Sequence, residues 1–170
     1  MNKIYFVIGA SGAGKTTAIR SIEKNHADEF QFCYFDSIGV PSNEEMIRDF
    51  GSAENWQKEN TKKWVRKMKE DSLDSKPAIL DGQTRPSFIK EACAENGITS
   101  YEVVLLDCSD QVRKERLIKR NHPELANEQM MNWAKYLREE STSNGYKIID
   151  NTDLSEDQSM NMLLEILHGK

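Results

Sequence analysis

Short apolar runs alternate along the chain with longer amphipathic segments, and this alternation is the clearest pattern in the sequence. The apolar runs are rich in β-branched and aromatic residues, which predicts buried strands. The amphipathic segments predict helices, and strands alternating with helices are typical of parallel βαβ units. Five strands are predicted, over Lys3–Ile8, Gln31–Phe35, Pro77–Leu80, Tyr101–Leu106 and Tyr146–Ile149.

Helical periodicity fills the segments between these strands. Met130, Trp133, Ala134 and Leu137, for example, follow the i, i+3, i+4, i+7 spacing of a single helical face. The predicted helices cover about Lys15–Asn25, Pro86–Glu95, Asp110–Arg120 and Asn127–Ser141, and a last helix opens at the capping box of Ser155 and Gln158. We therefore expect one α/β domain over residues 1–170, with three α/β/α layers around a five-stranded parallel sheet.

One segment departs from the alternation. About forty residues after the second predicted strand carry no convincing strand pattern. Ser42 and Glu45 form a capping box there, and a helical pattern follows over about Ala53–Ser72. We expect a helical insertion at about residues 40–76, placed where it would cover a bound ligand.

Composition and charge narrow the class of protein. Hydrophobic residues make up 38% and charged residues 30% of the chain, which is typical of a globular domain, and the formal net charge is −5. An acidic chain has no overall positive field, so duplex nucleic acid is not expected as a partner. Cys33, Cys93 and Cys108 form no CxxC pair, which indicates neither a disulfide framework nor a zinc site.

The apolar run Ile4–Ile8 at the start of the chain is too short to span a membrane. It also lacks the small-residue cleavage site of a signal peptide and leads directly into a glycine-rich loop. We therefore expect a cytoplasmic protein with no membrane partner.

The segment Gly9–Thr16 matches the pattern GxxxxGK[ST] at every specified position. It lies between a predicted strand and a predicted helix, as a phosphate-binding loop requires. Glycines let backbone N–H groups approach phosphates, and those groups form an anion site with the helix N-terminus. The motif predicts ATP and Mg²⁺ as ligands, with Lys15 at the β- and γ-phosphates and the Thr16 hydroxyl on the metal. The predicted nucleotide contacts are Gly9, Ser11, Gly12, Ala13, Gly14, Lys15, Thr16 and Thr17.

Two aspartates end predicted strands, where ligands bind in a parallel α/β sheet. Asp81 follows an apolar run and is a candidate for holding Mg²⁺, most simply through water. Asp36 is a candidate for accepting a proton from a hydroxyl group or for orienting that group. The alternative for both residues is a structural aspartate in a turn.

Three pieces of the chain together resemble the nucleoside monophosphate kinase branch of P-loop proteins, which includes adenylate, shikimate and gluconate kinases. They are the phosphate loop, Asp81-Gly-Gln-Thr-Arg85, and Glu115-Arg-Leu-Ile-Lys-Arg120. The resemblance implies that Arg85 binds an anion of the acceptor, Arg116 contacts the adenine and Arg120 reaches the transferred phosphate from a lid. It also implies that Asn151, after the fifth strand, lies near the adenine.

Phosphoryl transfer is catalysed mainly by positioning and charge neutralisation, and a guanidinium is always charged and matches phosphate oxygens. The resemblance therefore predicts a kinase that moves the γ-phosphoryl group of ATP to a small acceptor, with Lys15, Asp36, Arg85 and Arg120 as the catalytic set. The alternative for Arg116 and Arg120, which lie four residues apart on one predicted helix, is a solvated helix surface.

The sequence departs from adenylate kinases in two places. Asp36-Ser-Ile-Gly-Val lacks the arginine that binds AMP in that family, and the lid, at about residues 120–127, is short. Both features are closer to the small-metabolite and antibiotic kinases of the same branch. The insertion at residues 40–76 would then bind the acceptor, whose identity the sequence leaves open, as it does the oligomeric state.

Two other functions stay open. The insertion carries six cations, Lys58, Lys62, Lys63, Arg66, Lys67 and Lys69, which could steer an RNA end and so indicate a polynucleotide 5′-hydroxyl kinase. They could equally form a solvated face with the interleaved acids. A nucleotide-dependent switch that phosphorylates no acceptor is the other alternative. His26 and His122 are isolated in the sequence, and we expect neither to be a ligand.

Overall fold

The structure is a computed structural model that describes residues 3–71 and 76–169. Its strands are β1 (Ile4–Ile8), β2 (Gln31–Tyr34), β3 (Ala78–Gly82), β4 (Tyr101–Asp107) and β5 (Lys147–Asp150). Its helices are α1 (Lys15–His26), α2 (Asn43–Phe50), α3 (Ala53–Asp71), α4 (Pro86–Glu95), α5 (Asp110–Lys119), α6 (Glu128–Ser143) and α7 (Glu156–Leu167). Short 3₁₀ turns cover Phe35–Ile38 and Pro123–Leu125.

The five strands form one sheet in the order β2-β3-β1-β4-β5, and every neighbouring pair is parallel. Strand β1 lies at the centre, where Ile4 pairs with Ala78 on one side and with Tyr101 on the other. All five of its residues are buried, as expected for a strand covered on both faces. The predicted five-stranded parallel α/β architecture is confirmed.

Alternate residues of β1 face two separate hydrophobic clusters. Ile4 and Phe6 lie in a cluster to which α3, α4 and α6 contribute Trp64, Ile89 and Leu137. Tyr5 and Val7 lie in a second cluster to which α1 and α7 contribute Ile19 and Leu163. The period of two along the strand therefore gives the predicted three layers, with the sheet between two sets of helices.

Two strands end at other residues than the sequence predicts, and both differences concern predicted site residues. Asp36 was expected to end a strand, but it lies in the first 3₁₀ turn, where the Phe35 carbonyl accepts a hydrogen bond from the Trp64 Nε1 at 3.2 Å. Asp81 was expected to follow β3, but it lies within that strand, opposite Val7 and Tyr34. Both residues still lie at the carboxyl edge of the sheet.

The insertion after β2 consists of α2 and α3. Both hydrogen bonds of the capping box between Ser42 and Glu45 are present at the start of α2. Trp56, Trp64 and Met68 of α3 are buried in the core, so they anchor the insertion on the sheet. Helix α3 is described to Asp71, and its predicted last residue, Ser72, lies outside the described residues. Among the described helices, none has an apolar stretch long enough to cross a bilayer.

Candidate functional site

The segment between β1 and α1 forms a loop at the carboxyl edge of the sheet, as the phosphate-loop motif predicts. Gly12 has φ 83°, and a Cβ there would stand 3.0 Å from the Arg113 Cγ. Gly9 approaches the sheet so closely that a Cβ would lie 2.3 Å from the Leu106 carbonyl oxygen. Both positions therefore require glycine, the first for its left-handed backbone and both for close packing.

A buried arginine supports this loop from within the protein. Arg113 is fully buried, and its Nη1 donates to the carbonyl oxygens of Ala10 at 3.4 Å and Ser11 at 3.1 Å. Its Nη2 donates to Asp107 Oδ1 at 2.5 Å, while Arg138 of α6 binds the other oxygen of that carboxylate. The guanidinium thus donates hydrogen bonds to loop carbonyl groups whose partial negative charge would otherwise repel a phosphate group.

The sequence pattern did not single out Arg113, because it lies among other charged residues of α5 and resembles a surface cation. The signal that could have found it is Asp107, a carboxylate at the end of a nearly all-apolar strand. A buried carboxylate needs a charged or hydrogen-bonding partner, and a basic residue one turn into the following helix is within reach.

Lys15 and Thr16 open α1 directly after the loop. Lys15 is only 7% exposed, and this burial lowers the pKa of its ammonium group, while the carboxylates of Asp81 and Asp36 oppose the effect. The Thr16 hydroxyl donates to Asp81 Oδ2 at 2.6 Å. The donor set is therefore a hydroxyl beside a carboxylate, and these hard oxygen ligands fit Mg²⁺.

A cavity of about 590 Å³ lies in front of the loop, and we call it the phosphate-loop cavity. It is lined by Lys15, Thr16, Asp36, Asp81 and Arg120 together with Ser11, Gly12, Gly14, Arg20, Tyr34, Gln83 and the lid residues His122 and Leu125. Asp36 lies at its exposed rim. Partial desolvation raises the pKa of the Asp36 carboxyl, and the nearby Asp81 charge adds to this, while Lys15 opposes it. Eight predicted site residues, Ser11, Gly12, Gly14, Lys15, Thr16, Asp36, Asp81 and Arg120, therefore share one cavity.

A second cavity, of about 360 Å³, adjoins the first at Gly14 and Arg120, and we call it the Asn151 cavity. Asn151 is buried, and its amide nitrogen donates to the Ala13 carbonyl at 2.8 Å. Arg116 donates to the Asn151 side-chain oxygen at 2.8 Å. The two residues predicted near the adenine are thus in direct contact beside the phosphate loop.

Arg120 is the C-terminal cap of α5, where the short lid segment begins. Its Nη2 donates to the Thr17 hydroxyl at 3.0 Å across the boundary between the two cavities. The following residue, Asn121, has φ 60°, and the 3₁₀ turn Pro123–Leu125 completes the short lid. The structure therefore places Arg120 beside the first turn of α1, next to the phosphate loop.

Arg85, in contrast, lies outside the phosphate-loop cavity. Its Nη1 donates to Gln57 Oε1 at 2.7 Å, its Nη2 lies 3.4 Å from Glu54 Oε2, and its guanidinium stands 5.1 Å from the centre of the Trp133 ring. These residues line a third, more open cavity of about 420 Å³, the Arg85 cavity, together with Ala53, Gln129, Asn132 and Tyr136. The structure thus separates Arg85 from the other predicted catalytic residues.

Gln83 connects the two regions, and the sequence pattern did not indicate it. Its amide nitrogen donates to the Ser11 hydroxyl at 3.0 Å, and its amide oxygen accepts a hydrogen bond from the Trp133 Nε1 at 3.2 Å. Its backbone carbonyl accepts from Gln57 Nε2 at 2.8 Å. One side chain therefore touches both the phosphate loop and a wall of the Arg85 cavity.

Several cations of the insertion have acidic partners. Lys62 lies within 3.0 Å of carboxylate oxygens of Glu91 and Glu95, and Lys58 lies 2.8 Å from Glu91. Lys67 pairs with Asp71 within α3. These pairs favour the interpretation of the cations as a solvated, charge-paired helix face.

The prediction that His26 is isolated is wrong. Its Nδ1 lies 2.5 Å from Glu29 Oε1, and His168, more than a hundred residues away in the sequence, lies 2.8 Å from the other oxygen of Glu29. Folding brings these residues together because α1 and α7 pack side by side in the second hydrophobic cluster.

Comparison with protein families gives one match that covers most of the chain. The family model AAA_18, described as an AAA domain, matches residues 6–133. The match begins in β1 and extends into α6, so it includes the phosphate loop, Asp81, Arg85 and Arg120. No curated protein sequence matches the chain.

Several solved structures share the fold over nearly the whole chain. Shikimate kinase from Acinetobacter baumannii in complex with shikimate has a TM-score of 0.56 and 17% identity, covering 99% of this chain and 94% of its own. A gluconokinase from Sinorhizobium meliloti has a TM-score of 0.62 and 17% identity, covering 99% and 96%. Deoxyadenosine kinase from M. mycoides, with dCMP and dCDP bound, has a TM-score of 0.62 and 16% identity, covering 98% and 100%.

At these identities the similarity is one of fold. It confirms the predicted resemblance to P-loop kinases as a shared architecture, while the chemistry of this chain has to be argued from its own residues.

Proposed function

We propose that this chain, which belongs to the AAA_18 family of AAA domains, is an ATP-dependent kinase that transfers the γ-phosphoryl group to a small acceptor. The observation that carries the proposal is the phosphate-loop cavity. There Lys15 and the Thr16–Asp81 pair lie with a second carboxylate, that of Asp36, at the rim. The loop, Lys15 and the metal pair account for nucleotide binding, and the additional carboxylate can accept a proton from an acceptor hydroxyl.

On the nucleotide side, loop N–H groups and Lys15 would bind the β- and γ-phosphates, and Arg120 would neutralise charge on the transferred group. Mg²⁺, when bound by Thr16 and Asp81, would neutralise further phosphate charge. Arg116 and Asn151 would hold the adenine in the Asn151 cavity. Their mutual hydrogen bond supports this role, because it fixes both side chains before the nucleotide binds.

The transfer itself would be an in-line displacement. The acceptor oxygen forms a bond to the γ-phosphorus while the bond from that phosphorus to the β,γ-bridging oxygen breaks, and ADP leaves. The acceptor proton passes to the Asp36 carboxylate, whose raised pKa makes it a better base than an ordinary aspartate. Closure of the lid formed by residues 120–127 over the bound ATP would exclude water and so suppress hydrolysis of ATP.

On the acceptor side, we propose that the insertion at residues 40–76 and the Arg85 cavity bind the rest of the acceptor. Arg85 offers a cation, and Gln57, Gln129 and Asn132 offer side-chain amides, so the cavity suits a polar molecule with an anionic group. Three of the structures with this fold are described as shikimate, gluconate and deoxyadenosine kinases. These descriptions support a small acceptor and leave its identity open.

The test is a coupled ADP-release assay with a panel of nucleoside monophosphates, nucleosides, sugar acids and aminated antibiotics. We expect one class to raise turnover well above the rate without acceptor. Lys15→Ala should abolish this turnover, whereas Lys24→Ala, which removes an exposed cation from the same helix, should leave it intact.

A flat panel would contradict the proposal. RNA ends would then be assayed at several salt concentrations, because a polynucleotide kinase would bind them with a steep salt dependence. Slow hydrolysis that depends on Lys15 but on no acceptor would instead indicate a nucleotide-dependent switch.

A further inference from the structure

A cluster of two histidines and a glutamate lies far from the phosphate loop. Helix α1 begins at the loop with Lys15 and ends eleven residues later at His26, so the cluster lies roughly 16 Å away at the opposite edge of the sheet. We propose that His26, Glu29 and His168 bind one divalent transition-metal ion, of the class of Zn²⁺, Ni²⁺ or Cu²⁺. This proposal does not rest on the kinase activity.

The three side chains converge on one point. One ligand atom from each lies within 4.8 Å of the other two. Each oxygen of the Glu29 carboxylate faces a different imidazole, at 2.5 Å for His26 Nδ1 and 2.8 Å for His168 Nε2. Ligand atoms around a tetrahedral zinc ion are separated by a little over 3 Å, given metal–ligand distances of about 2.0–2.1 Å. Small side-chain rotations would therefore admit the ion.

The backbone and a neighbouring ring hold the ligands in place. The backbone N–H groups of Glu29 and Phe30 both donate to the His26 carbonyl, which closes the turn that carries the carboxylate. His168 caps α7, and its imidazole stacks on the Phe30 ring with the ring centres 5.7 Å apart. A site with positioned ligands loses less entropy when the ion binds.

The donor set selects the class of ion. Two imidazole nitrogens with one carboxylate oxygen suit zinc, nickel or copper, whereas Mg²⁺ and Ca²⁺ prefer oxygen ligands alone. Both histidines lie at helix C-termini, where the partial negative charge of the helix favours a cation. The side chains of His26, Glu29 and His168 are 26%, 42% and 32% exposed, so the ion can enter and water can complete its coordination.

The consequence would be a link between distant parts of the chain. His26 ends the helix that carries the phosphate loop, and His168 follows the last helix, so a bound ion would tie α7 to α1. Because the unfolded chain does not hold these ligands together, an ion bound to the folded state would raise stability.

The experiment is thermal unfolding of the full chain without nucleotide and with any polyhistidine tag removed, since such a tag binds the same ions. We expect Zn²⁺ or Ni²⁺ at about one hundred times the Kd to raise the Tm by about 5 °C, and Mg²⁺ at the same concentration to do so far less. Isothermal titration with ZnCl₂ should give one ion per chain.

Two variants and a control locate the ion. His168→Asn and Glu29→Gln should each remove most of the Zn²⁺-induced shift in Tm. If His168→Asn also lowers the stability of the metal-free protein, Glu29→Gln still tests the proposal, because the glutamine can keep the hydrogen bonds to the imidazoles. His122→Asn is the control, because His122 lies 3.0 Å from Glu124 and the described residues offer this pair no third ligand. A shift that is absent from the unaltered protein, or that survives both variants, would overturn the proposal. Since no nucleotide is present, either result is independent of the kinase assay.

Discussion

The phosphate loop and the Arg85 cavity each depend on an arginine, but they hold it in opposite ways. Arg113 is fully buried behind the loop, with its hydrogen bonds directed to the Asp107 carboxylate and to backbone carbonyls. Arg85 is partly exposed at a cavity wall, with a long 3.4 Å contact to Glu54 and aromatic rings beneath it. The first arginine fixes a backbone shape, and the second leaves donor groups near an open space.

The difference teaches which side of the site is rigid. Because the buried Arg113 guanidinium makes several hydrogen bonds, the shape of the phosphate loop should change little when a ligand binds. A fixed shape suits the nucleotide, which is the same ligand in every reaction cycle. A partly exposed guanidinium held by side chains of α3, α4 and α6 can exchange its partners for those of an acceptor. The comparison predicts large stability losses at Arg113 and changes mainly in acceptor binding at Arg85.

The largest effect is expected from Arg113→Met. The variant leaves the buried Asp107 carboxylate with the half-exposed Arg138 as its cationic partner and removes the donors to the loop carbonyls, which should cost about 3 kcal/mol of the free energy of unfolding. Arg138→Met is the matched control, because it removes the half-exposed arginine on the same carboxylate and should cost about 1 kcal/mol. Urea denaturation measures both. Equal losses for the two variants would contradict the proposed rigidity of the nucleotide side.

The next effect concerns two glycines with nearly the same φ. Gly12→Ala should cost about 2–3 kcal/mol, because a Cβ at φ 83° is strained and would also press against Arg113. Gly39→Ala, at φ 85° on the acceptor side, would meet nothing within 4 Å and should cost about 1 kcal/mol from strain alone. The loss of unfolding free energy in Gly12→Ala minus the loss in Gly39→Ala measures the contribution of close packing behind the loop. A difference near zero would contradict the prediction that packing at Gly12 matters.

A smaller effect, confined to the acceptor, is expected from Arg85→Met. The KM of this variant for the acceptor that the panel identifies should rise about tenfold, which corresponds to a loss of about 1.4 kcal/mol of binding free energy. The KM for ATP should stay constant. Lys58→Met is the control, since Lys58 is a neighbouring cation that also lies over the Phe88 ring. If the KM for ATP rose equally, Arg85 would belong to the nucleotide side and the comparison would fail.

The smallest effect is a pH dependence at Asp36. Because the pKa of this carboxyl is raised above its ordinary value of 3.8, the folded protein keeps the proton where the unfolded chain has lost it. Stability should therefore fall as the pH rises from about 4 through the raised pKa, by less than about 1 kcal/mol, since solvent screens an exposed carboxylate. Asp36→Asn should remove this fall and also greatly reduce turnover.

Urea denaturation of both proteins between pH 3.5 and pH 7 checks the sign. If the free energy of unfolding of the unaltered protein instead rose with pH relative to that of Asp36→Asn, the folded state would favour the ionised carboxylate. That result would remove the argument for Asp36 as a proton acceptor of raised basicity.

The sequence predicted much of the fold, because the relevant signals are local. Strand runs such as Tyr101–Leu106 and the GxxxxGK[ST] loop contain their own periodicity or spacing, so neither needs information from elsewhere in the chain. The family resemblance placed Arg116 and Asn151 each near the adenine, and the structure adds a direct hydrogen bond between them. It involves residues on two elements that the parallel topology brings together.

The parts that could not be predicted depend on contacts between distant segments. Gln83 joins Ser11 to Trp133, and His168 joins Glu29, and neither contact leaves a pattern in the neighbouring residues. Arg113 was hidden for a different reason, since a buried arginine and a solvated one have the same local sequence on a charged helix. Burial is decided by the fold and not by the residues on either side.

The central position of β1 also affects how the protein is made. Among the five strands of the sheet, the ribosome produces the mostly apolar β1 before the other four, and its second neighbour, β4, follows about 100 residues later. At about 5–20 residues per second, β1 waits roughly 5–20 s for its partners. During that time an aggregation-prone segment is unprotected on the nascent chain. Chaperones that cover exposed apolar segments during translation should therefore raise the yield of this protein.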